Sequence, residues 1–377
     1  MAKTVIDNRT VIVYTLSSVH KESGTPPIIS APTVKEVAQL AGVSTATVSR
    51  VLSNSGGVRA ELIRKVKSAA RKLGYQPNLA ARNLRVRSTR TLGMVFPDIE
   101  NPFYARIIAG AEEVLQNAGY SLLLANYGED PEREHTQLTT LRAERVAGIL
   151  FAASRQPSVD YQYCLDANIA MVAVSRIPDG LNVDLVTVSN QEGARQAVEH
   201  LLGLGHRRIA FVDGPISLST TRERKAGYEQ ALRKQGLPVP LELAVCSDFS
   251  HHSGGYEAVT KLLQAAKKPT AILVVSNNMA LGVLQALQDR GIDVPTEMAV
   301  VGFGDTPSAV LLRSPLTVVA QPALEIGATS ARLLLERLQD PNRPRRSIVL
   351  DTELIVRESC GSNLPEARPK ERDLARR

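Results

Sequence analysis

Six residues between Ser44 and Arg50 carry side chains well suited to contacting DNA. They are small or hydroxyl-bearing residues and one arginine: Ser44, Thr45, Ala46, Thr47, Ser49 and Arg50. Short side chains at the N-terminal end of a helix allow close approach to base edges in the major groove, and hydroxyl groups can contact nearby phosphates. The stretch therefore predicts a helix that reads double-stranded DNA.

Two short helices joined by a tight turn are predicted to hold these side chains. Thr33 is a candidate N-cap for the first helix, and Gly42 supplies the permissive backbone that ends it. Ser44 is the corresponding cap of the second helix. The apolar positions three and four apart can face each other across the pair: Val34, Val37, Ala38, Ala41, Val48, Val51 and Leu52. The pattern indicates a helix-turn-helix, and a helical hairpin inside a globular core is the alternative.

The distribution of charge favours the DNA-binding interpretation. Residues 33–90 contain twelve Lys and Arg but two acids, a net charge of +10, whereas the whole 377-residue chain carries +7. Residues 1–32 contribute +1, so the remaining 287 residues carry −4. Basicity confined to one end is expected where only that end meets phosphate.

The segments AGVSTATVSRVL at 41–52 and LGYQPNLAARNL at 73–84 resemble the headpiece and hinge of the lactose/galactose repressor (LacI/GalR) family of bacterial transcription regulators. The resemblance covers roughly residues 33–357. It implies a cytoplasmic homodimer that binds a pseudo-palindromic DNA operator, acts as a repressor, and responds to a small-molecule effector such as a sugar, sugar acid or sugar phosphate. No cofactor and no metal are implied.

The resemblance also assigns residues that contact DNA. Thr45 and Ala46 match base-reading positions, and Tyr75 and Asn78 match phosphate contacts. Leu84 matches the leucine that wedges into the minor groove. The full predicted set is Thr33, Ser44, Thr45, Ala46, Thr47, Ser49, Arg50, Ser53, Tyr75, Asn78, Ala81, Arg82 and Leu84.

Residues 78–86 have helical spacing but are too few and too basic to form a stable helix alone. In the family this segment folds when two copies pair over the operator, which lets Leu84 kink the duplex. A plain linker is the alternative. Before it, a third helix is predicted over about 60–73, with Arg59 and Leu62 in place of the family's Ser cap and Thr. That change predicts weaker capping and phosphate contacts shifted toward Arg59 and Arg64.

From Thr91 onward, short apolar strands alternate with amphipathic helices. Strands are predicted at 91–96, 121–125, 146–151, 170–174, 208–212, 271–275 and 298–303. Helices are predicted near 103–118, 131–143, 191–204, 222–235, 254–266, 277–290 and 322–338. This α/β alternation predicts two parallel-sheet lobes with a cleft at the carboxyl ends of the strands. By the resemblance, the core is periplasmic-binding-protein-like and its chain crosses between the lobes three times.

The cleft is the predicted effector site. Its candidate residues are Phe103, Tyr104, Ser175, Arg176, Thr220, Arg224, Phe249, Ser276, Asn277, Gly304, Asp305 and Gln321. Arg224 matches the position that clamps effector oxygens, and Gly304 and Asn277 replace family acids. This side of the cleft therefore loses negative charge, which predicts an anionic effector or one that is not a pyranose. A cleft that binds nothing is the alternative.

The predicted organisation is a disordered extension at 1–32, a headpiece at 33–77, a hinge and linker at 78–90, a core at 91–357 and a disordered basic tail at 358–377. Residues 11–20 make only a weak export segment, interrupted by polar residues, so export is not predicted. The tail has no leucine heptads, which favours a dimer over a tetramer.

Other function classes find little support in the sequence. Cys164, Cys246 and Cys360 are odd in number and far apart, which fits neither a disulfide framework nor a metal site. No nucleophile elbow and no glycine-rich phosphate loop is present, so an enzyme is not predicted. A solute-binding protein of a transport system shares the core architecture and remains the alternative function.

Overall fold

The computed structural model describes residues 32–52, 57–75, 89–154, 159–247 and 251–364. These residues group into two compact units, one ending at Thr89 and the other beginning at Arg90. The hinge segment 78–86, the chain before Pro32 and the tail beyond Leu364 lie outside the described residues. So do six predicted contact residues: Ser53, Asn78, Ala81, Arg82, Leu84 and Phe249.

The described residues of the first unit form three helices: α1 (Val34–Ala41), α2 (Thr45–Leu52) and α3 (Ala60–Leu73). Thr33 caps α1, because its hydroxyl accepts from the Glu36 N–H while the Glu36 carboxylate accepts from the Thr33 N–H. Gly42 ends α1 with φ of 63°. The predicted capping and turn are confirmed.

The apolar faces of these helices form one small core. Val37, Val48 and Val66, one from each helix, are fully buried and pack together with alanines of α1 and α3. Arg59 precedes α3 and makes no side-chain capping hydrogen bond, as its residue type predicts. Helix α3 therefore depends on packing against α1 and α2 rather than on its own N-cap.

The second unit contains two six-stranded sheets. The first has the order β11-β5-β4-β3-β1-β2 and the second β12-β10-β9-β8-β6-β7. Their bounds are β1 Thr91–Phe96, β2 Ser121–Asn126, β3 Gly148–Phe151, β4 Ala170–Val174, β5 Asp184–Val188, β6 Ile209–Asp213, β7 Ala244–Cys246, β8 Ala271–Val274, β9 Ala299–Phe303, β10 Thr317–Ala320, β11 Ser347–Leu350 and β12 Glu353–Ile355. The pairings are parallel except between β10 and β12. The predicted pair of parallel-sheet lobes is confirmed.

Helices cover both faces of the sheets: α4 Pro102–Asn117, α5 Pro131–Ala143, α6 Val159–Asp166, α7 Asn190–Gly203, α8 Ser219–Lys234, α9 His252–Leu263, α10 Asn277–Asp289 and α11 Ala323–Gln339. None of these helices is long and apolar enough to span a bilayer. The chain passes from the first sheet to the second after β5, returns after β10, and passes over again between β11 and β12. These are the three expected crossings.

Helices α4 and α11 pack closely in the first lobe, and a glycine on each helix permits it. A Cβ at Gly110 would lie 2.1 Å from the Leu324 carbonyl oxygen, and a Cβ at Gly327 would lie 2.0 Å from the Ile107 carbonyl oxygen. Either contact is shorter than atoms tolerate, so the two backbones touch where a side chain would otherwise stand. The crossing helix α11 is thereby fixed to the first lobe.

Several elements were not predicted: α6 and the strands β5, β7, β10, β11 and β12. Strand β5 begins with Asp184, which is fully buried although it is an acid. Its carboxylate accepts from Arg337 at 3.0 Å and from Arg343 at 2.8 Å. A buried carboxylate is tolerated only when it is paired in this way, and those partners lie more than 150 residues further along the chain.

Candidate functional site

The N-terminal half of α2 presents short polar side chains to solvent. The Ser44 hydroxyl accepts from the Thr47 N–H at 3.2 Å and lies 3.0 Å from the Thr47 hydroxyl. Residues Thr45, Ala46, Ser49 and Arg50 are exposed on the face opposite the buried Val48 and Val51. The predicted reading face is thus formed as a continuous exposed surface.

Helix α3 and the residue before it also carry exposed basic side chains. Arg59, Arg64, Lys67, Arg71 and Lys72 are all exposed, and Lys65 forms an exposed i,i+4 ion pair with Glu61 at 2.8 Å. Thr33 is exposed, but its hydroxyl and backbone N–H are engaged with Glu36 in the cap of α1. Tyr75 is partly buried against the three-helix core.

A cavity of about 50 Å³ that opens to solvent lies between the two sheets of the second unit. Its lining comes mostly from the carboxyl ends of the strands, as predicted for parallel sheets. Nine predicted residues line it: Phe103, Tyr104, Ser175, Arg176, Thr220, Arg224, Ser276, Asn277 and Gln321. Nine residues outside the predicted set also line it: Asp98, Asn101, Glu129, Asp213, Leu218, Thr221, His251, Asn278 and Phe303.

Arg224 is held by several contacts at this cavity. Its Nε donates to the Asn190 side-chain oxygen at 2.9 Å, and its Nη1 donates to the Val275 carbonyl at 2.5 Å. The guanidinium lies over the Phe303 ring, 4.1 Å from the centroid. Burial lowers the pKa of Arg224, and the charge of Asp213 opposes that shift. The side chain is therefore positioned before any ligand arrives.

Arg176 is already paired. It donates to Glu129 at 3.0 Å, both side chains are nearly buried, and its guanidinium lies 5.9 Å from the centre of the Tyr104 ring. Burial raises the pKa of Tyr104 to about 12, so its phenol stays protonated at neutral pH. The positive charge of Arg176 is thus largely balanced within the protein.

Asp213 is the least expected group in the cavity. It ends β6, is 2% exposed, and accepts at Oδ1 from the Gly214 N–H at 2.6 Å. Burial raises the pKa of Asp213 to about 6, while Arg224 and Arg176 act in the opposite direction. The signal in the sequence was an acid directly after an apolar strand, in RIAFVDGP, one residue beyond the strand predicted at 208–212.

The two lobes are joined at the cavity by side-chain amides. Asn101 Nδ2 donates to Asn277 Oδ1 at 3.0 Å, and Asn277 Nδ2 donates to Asn101 Oδ1 at 2.7 Å. Beside them, Asn278 Nδ2 donates to Asp98 Oδ2 at 2.9 Å. These three bonds connect the loop after β1 with the start of α10, so they hold the lobes closed over the cavity.

Two of the predicted residues do not line the cavity. The Asp305 carboxylate pairs with Arg357, at 2.9 and 2.7 Å. Gly304 has φ of 93°, and a Cβ added there would lie 3.4 Å from both Asn277 and the Gln321 amide. Among the described residues, three carboxylates line the cavity, from Asp98, Glu129 and Asp213. These carboxylates follow other strands than the one that precedes Gly304, so the anionic effector inferred from Gly304 stays a prediction.

Comparison with known proteins decides the family. The family described as bacterial regulatory proteins, lacI family, matches residues 33–78, and the periplasmic binding protein-like domain matches residues 198–360. Catabolite control protein A of Priestia megaterium is 34% identical over 328 residues, which span 87% of this chain and 98% of that protein. The chain belongs to the lacI family of bacterial regulatory proteins.

Solved structures agree with this assignment. A transcriptional regulator CelR–cellobiose complex is 34% identical, with 87% of this chain and 99% of that chain covered and a TM-score of 0.67. A lac repressor dimer bound to operator and an anti-inducer is 27% identical, with 88% and 99% covered and a TM-score of 0.77. This lacI-family member is accordingly a DNA-binding transcriptional regulator and not an enzyme, and nothing supports the transport-protein alternative.

Proposed function

We propose that this regulator is a cytoplasmic repressor that binds a pseudo-palindromic operator as a homodimer. The observation that carries the proposal is the exposed face of α2, where Thr45, Ala46, Ser49 and Arg50 project from a helix capped by Ser44. One three-helix unit buries too little surface for tight specific binding, and two copies on half-sites supply the rest. A solved relative, the lac repressor, is a dimer on its operator.

We further propose which residues contact DNA. Thr45 and Ala46 approach base edges, with Thr33, Ser44, Thr47, Ser49 and Arg50 beside them. Tyr75 contacts phosphate near the end of α3. Ser53, Asn78, Ala81, Arg82 and Leu84 lie outside the described residues, so their roles rest on the family resemblance alone.

The cavity of the second unit supports control by a small molecule. It joins both lobes and holds convergent polar groups that include Arg224, Asp213 and Gln321. A solved relative is a complex with cellobiose. We infer that a sugar, sugar acid or sugar phosphate binds here and changes operator affinity.

The test of operator binding begins with the full-length protein and a random duplex library. Repeated selection should recover a sequence with two inverted half-sites, and the stoichiometry should be two chains per duplex. Recovery of a single asymmetric half-site bound by one chain would overturn the dimeric proposal.

Arg50→Ala should then weaken binding to the selected operator by roughly ten- to a hundredfold, because it removes a contact of the reading helix. Lys267→Ala removes the same charge from an exposed position of the second unit and is the matched control. It should leave operator affinity within about twofold of wild type. Equal losses in both variants would indicate binding by general charge and not by α2.

A further inference from the structure

Two buried oxygen atoms at the cavity lack a hydrogen-bond partner among the described residues: Asp213 Oδ2 and Gln321 Oε1. Both side chains line the cavity. A buried acceptor left unpaired costs free energy, and such groups are rare unless a ligand or water completes them. A carboxylate oxygen is the more costly of the two, because its charged form is desolvated as well.

The surroundings of Asp213 decide what kind of donor completes it. Arg224 and Arg176 both lower the pKa of this carboxylate through their charge, and the Thr221 side chain lowers it through a hydrogen bond, while Oδ2 keeps no partner among the described residues. A ligand ammonium placed at Asp213 would therefore lie beside the buried guanidinium of Arg224. An anionic ligand would meet the carboxylates of Asp98 and Asp213, which also line the cavity. A neutral hydroxyl group avoids both repulsions and still donates a hydrogen bond to a charged acceptor.

The alternative sites for an anion are already occupied by the protein. Arg176 is paired with Glu129, and Arg224 donates to Asn190 and to the Val275 carbonyl while it stacks on Phe303. Neither arginine presents a full planar fork to the cavity for a carboxylate or phosphate.

We propose that Asp213 determines the specificity of the effector site by accepting a hydrogen bond from a hydroxyl of an uncharged polyhydroxy compound. A second hydroxyl of the same compound donates to the Gln321 side chain. This inference rests on the proposed function of the cavity as the effector site, and it narrows the effector to a neutral sugar or polyol. Charged derivatives of the same carbon skeleton are excluded by the same residues.

The experiment measures ligand binding by the full-length protein with matched sugars. The probes are D-glucose, D-galactose and D-ribose, with the charged counterparts D-glucose 6-phosphate, D-glucuronate, D-glucosamine, D-galacturonate, D-galactosamine and D-ribose 5-phosphate. Thermal shift at millimolar concentration identifies binders, and titration calorimetry gives their affinities. At least one neutral compound should bind, and each of its charged counterparts should bind at least tenfold more weakly.

The variant Asp213→Asn keeps the size of the side chain but replaces one acceptor oxygen with an amide donor. The affinity of the neutral binder should fall by about ten- to a hundredfold, the range expected for a hydrogen bond to a charged group. Asp305→Asn is the matched control, because that carboxylate pairs with Arg357 away from the cavity, and it should bind like wild type. Operator binding by both variants shows that they are folded.

The pH dependence gives a second readout. In wild type, affinity for the neutral compound should fall up to tenfold per pH unit below about pH 6, as Asp213 becomes protonated. His251 also lines the cavity, so the dependence belongs to Asp213 only if Asp213→Asn removes it.

Three results would overturn the inference: preference for a charged member of a matched set, unchanged affinity in Asp213→Asn, or no binding by any neutral compound. Operator binding by the wild-type protein is measured separately. Its persistence would leave the repressor function intact while the specificity proposal fails.

Discussion

At the level of single residues, the ionised carboxylate of Asp213 lowers the stability of the ligand-free protein. Its folded-state pKa of about 6 lies above the usual value of 3.8, so the ligand-free fold loses stability as the pH rises from about 4 to about 6, and the full loss is present above pH 6. Asp213→Asn should therefore raise the free energy of unfolding by about 1–3 kcal/mol at pH 8 and have little effect near pH 4. Calorimetric melting of the ligand-free protein at both values measures the difference.

Asp305→Asn serves as the control of opposite sign. That side chain is partly exposed and paired with Arg357, so the substitution removes a favourable contact and should not stabilise the protein at any pH. If Asp213→Asn stabilised the fold equally at pH 4 and pH 8, the carboxylate charge would not be the cause.

At the scale of elements, the contact between α4 and α11 should be sensitive to a single methyl group. Gly327→Ala would bring a Cβ to 2.0 Å from the Ile107 carbonyl oxygen, so the helices must separate. We expect a loss of about 1–3 kcal/mol of unfolding free energy, as for other overpacked sites. Urea denaturation followed by circular dichroism measures the loss.

Gly203, the last residue of α7, provides the comparison. A Cβ there meets nothing within 4 Å, and its φ is not in the left-handed region. Gly203→Ala should be neutral or stabilising by up to about 1 kcal/mol, because alanine is the better helix former. If Gly203→Ala lost as much unfolding free energy as Gly327→Ala, the loss would not come from the close packing of α4 and α11.

The sequence predicted those strands whose apolar pattern is local, and it missed a strand whose burial depends on residues far along the chain. Strands such as β8 and β9 are continuous apolar runs, and their character is local. Strand β5 begins with Asp184, whose burial depends on Arg337 and Arg343 in a distant part of the chain. No local pattern contains that information, so β5 was missed.

The residues of the cavity, like the strands, differ in how far the sequence could predict them. Arg224 and Asn277 were found through the family resemblance, which records positions shared among relatives. Asp213 was missed because its lack of a partner exists only after folding, when the carboxylate is buried at the cavity. The expectation of an anionic effector was argued from Gly304 and Asn277 on one side of the cleft, whereas the carboxylates of Asp98, Glu129 and Asp213 are brought to the cavity from other strands only by folding.

Over the whole molecule, the part that is proposed to bind DNA is strongly basic and the part that is proposed to bind the effector is weakly acidic. Residues 33–90 carry +10, whereas residues 91–377 carry −4. If each dimer contacts about six to ten phosphates, operator affinity should fall about a thousandfold or more between 50 and 200 mM salt. Affinity for a neutral effector should change little over the same range. Fluorescence anisotropy and calorimetry on one preparation measure both, and a shallow operator slope would contradict the proposed phosphate contacts.

Contact between the two lobes and recognition of the effector involve different side chains, because Asn101 and Asn277 join the lobes. Both of its hydrogen bonds join uncharged groups, so their strength hardly depends on ionic strength or acidity. Recognition at Asp213, by contrast, depends on charge. A biosensor designer could therefore alter position 213 to change which compound is detected and leave the hydrogen bonds between Asn101 and Asn277 in place.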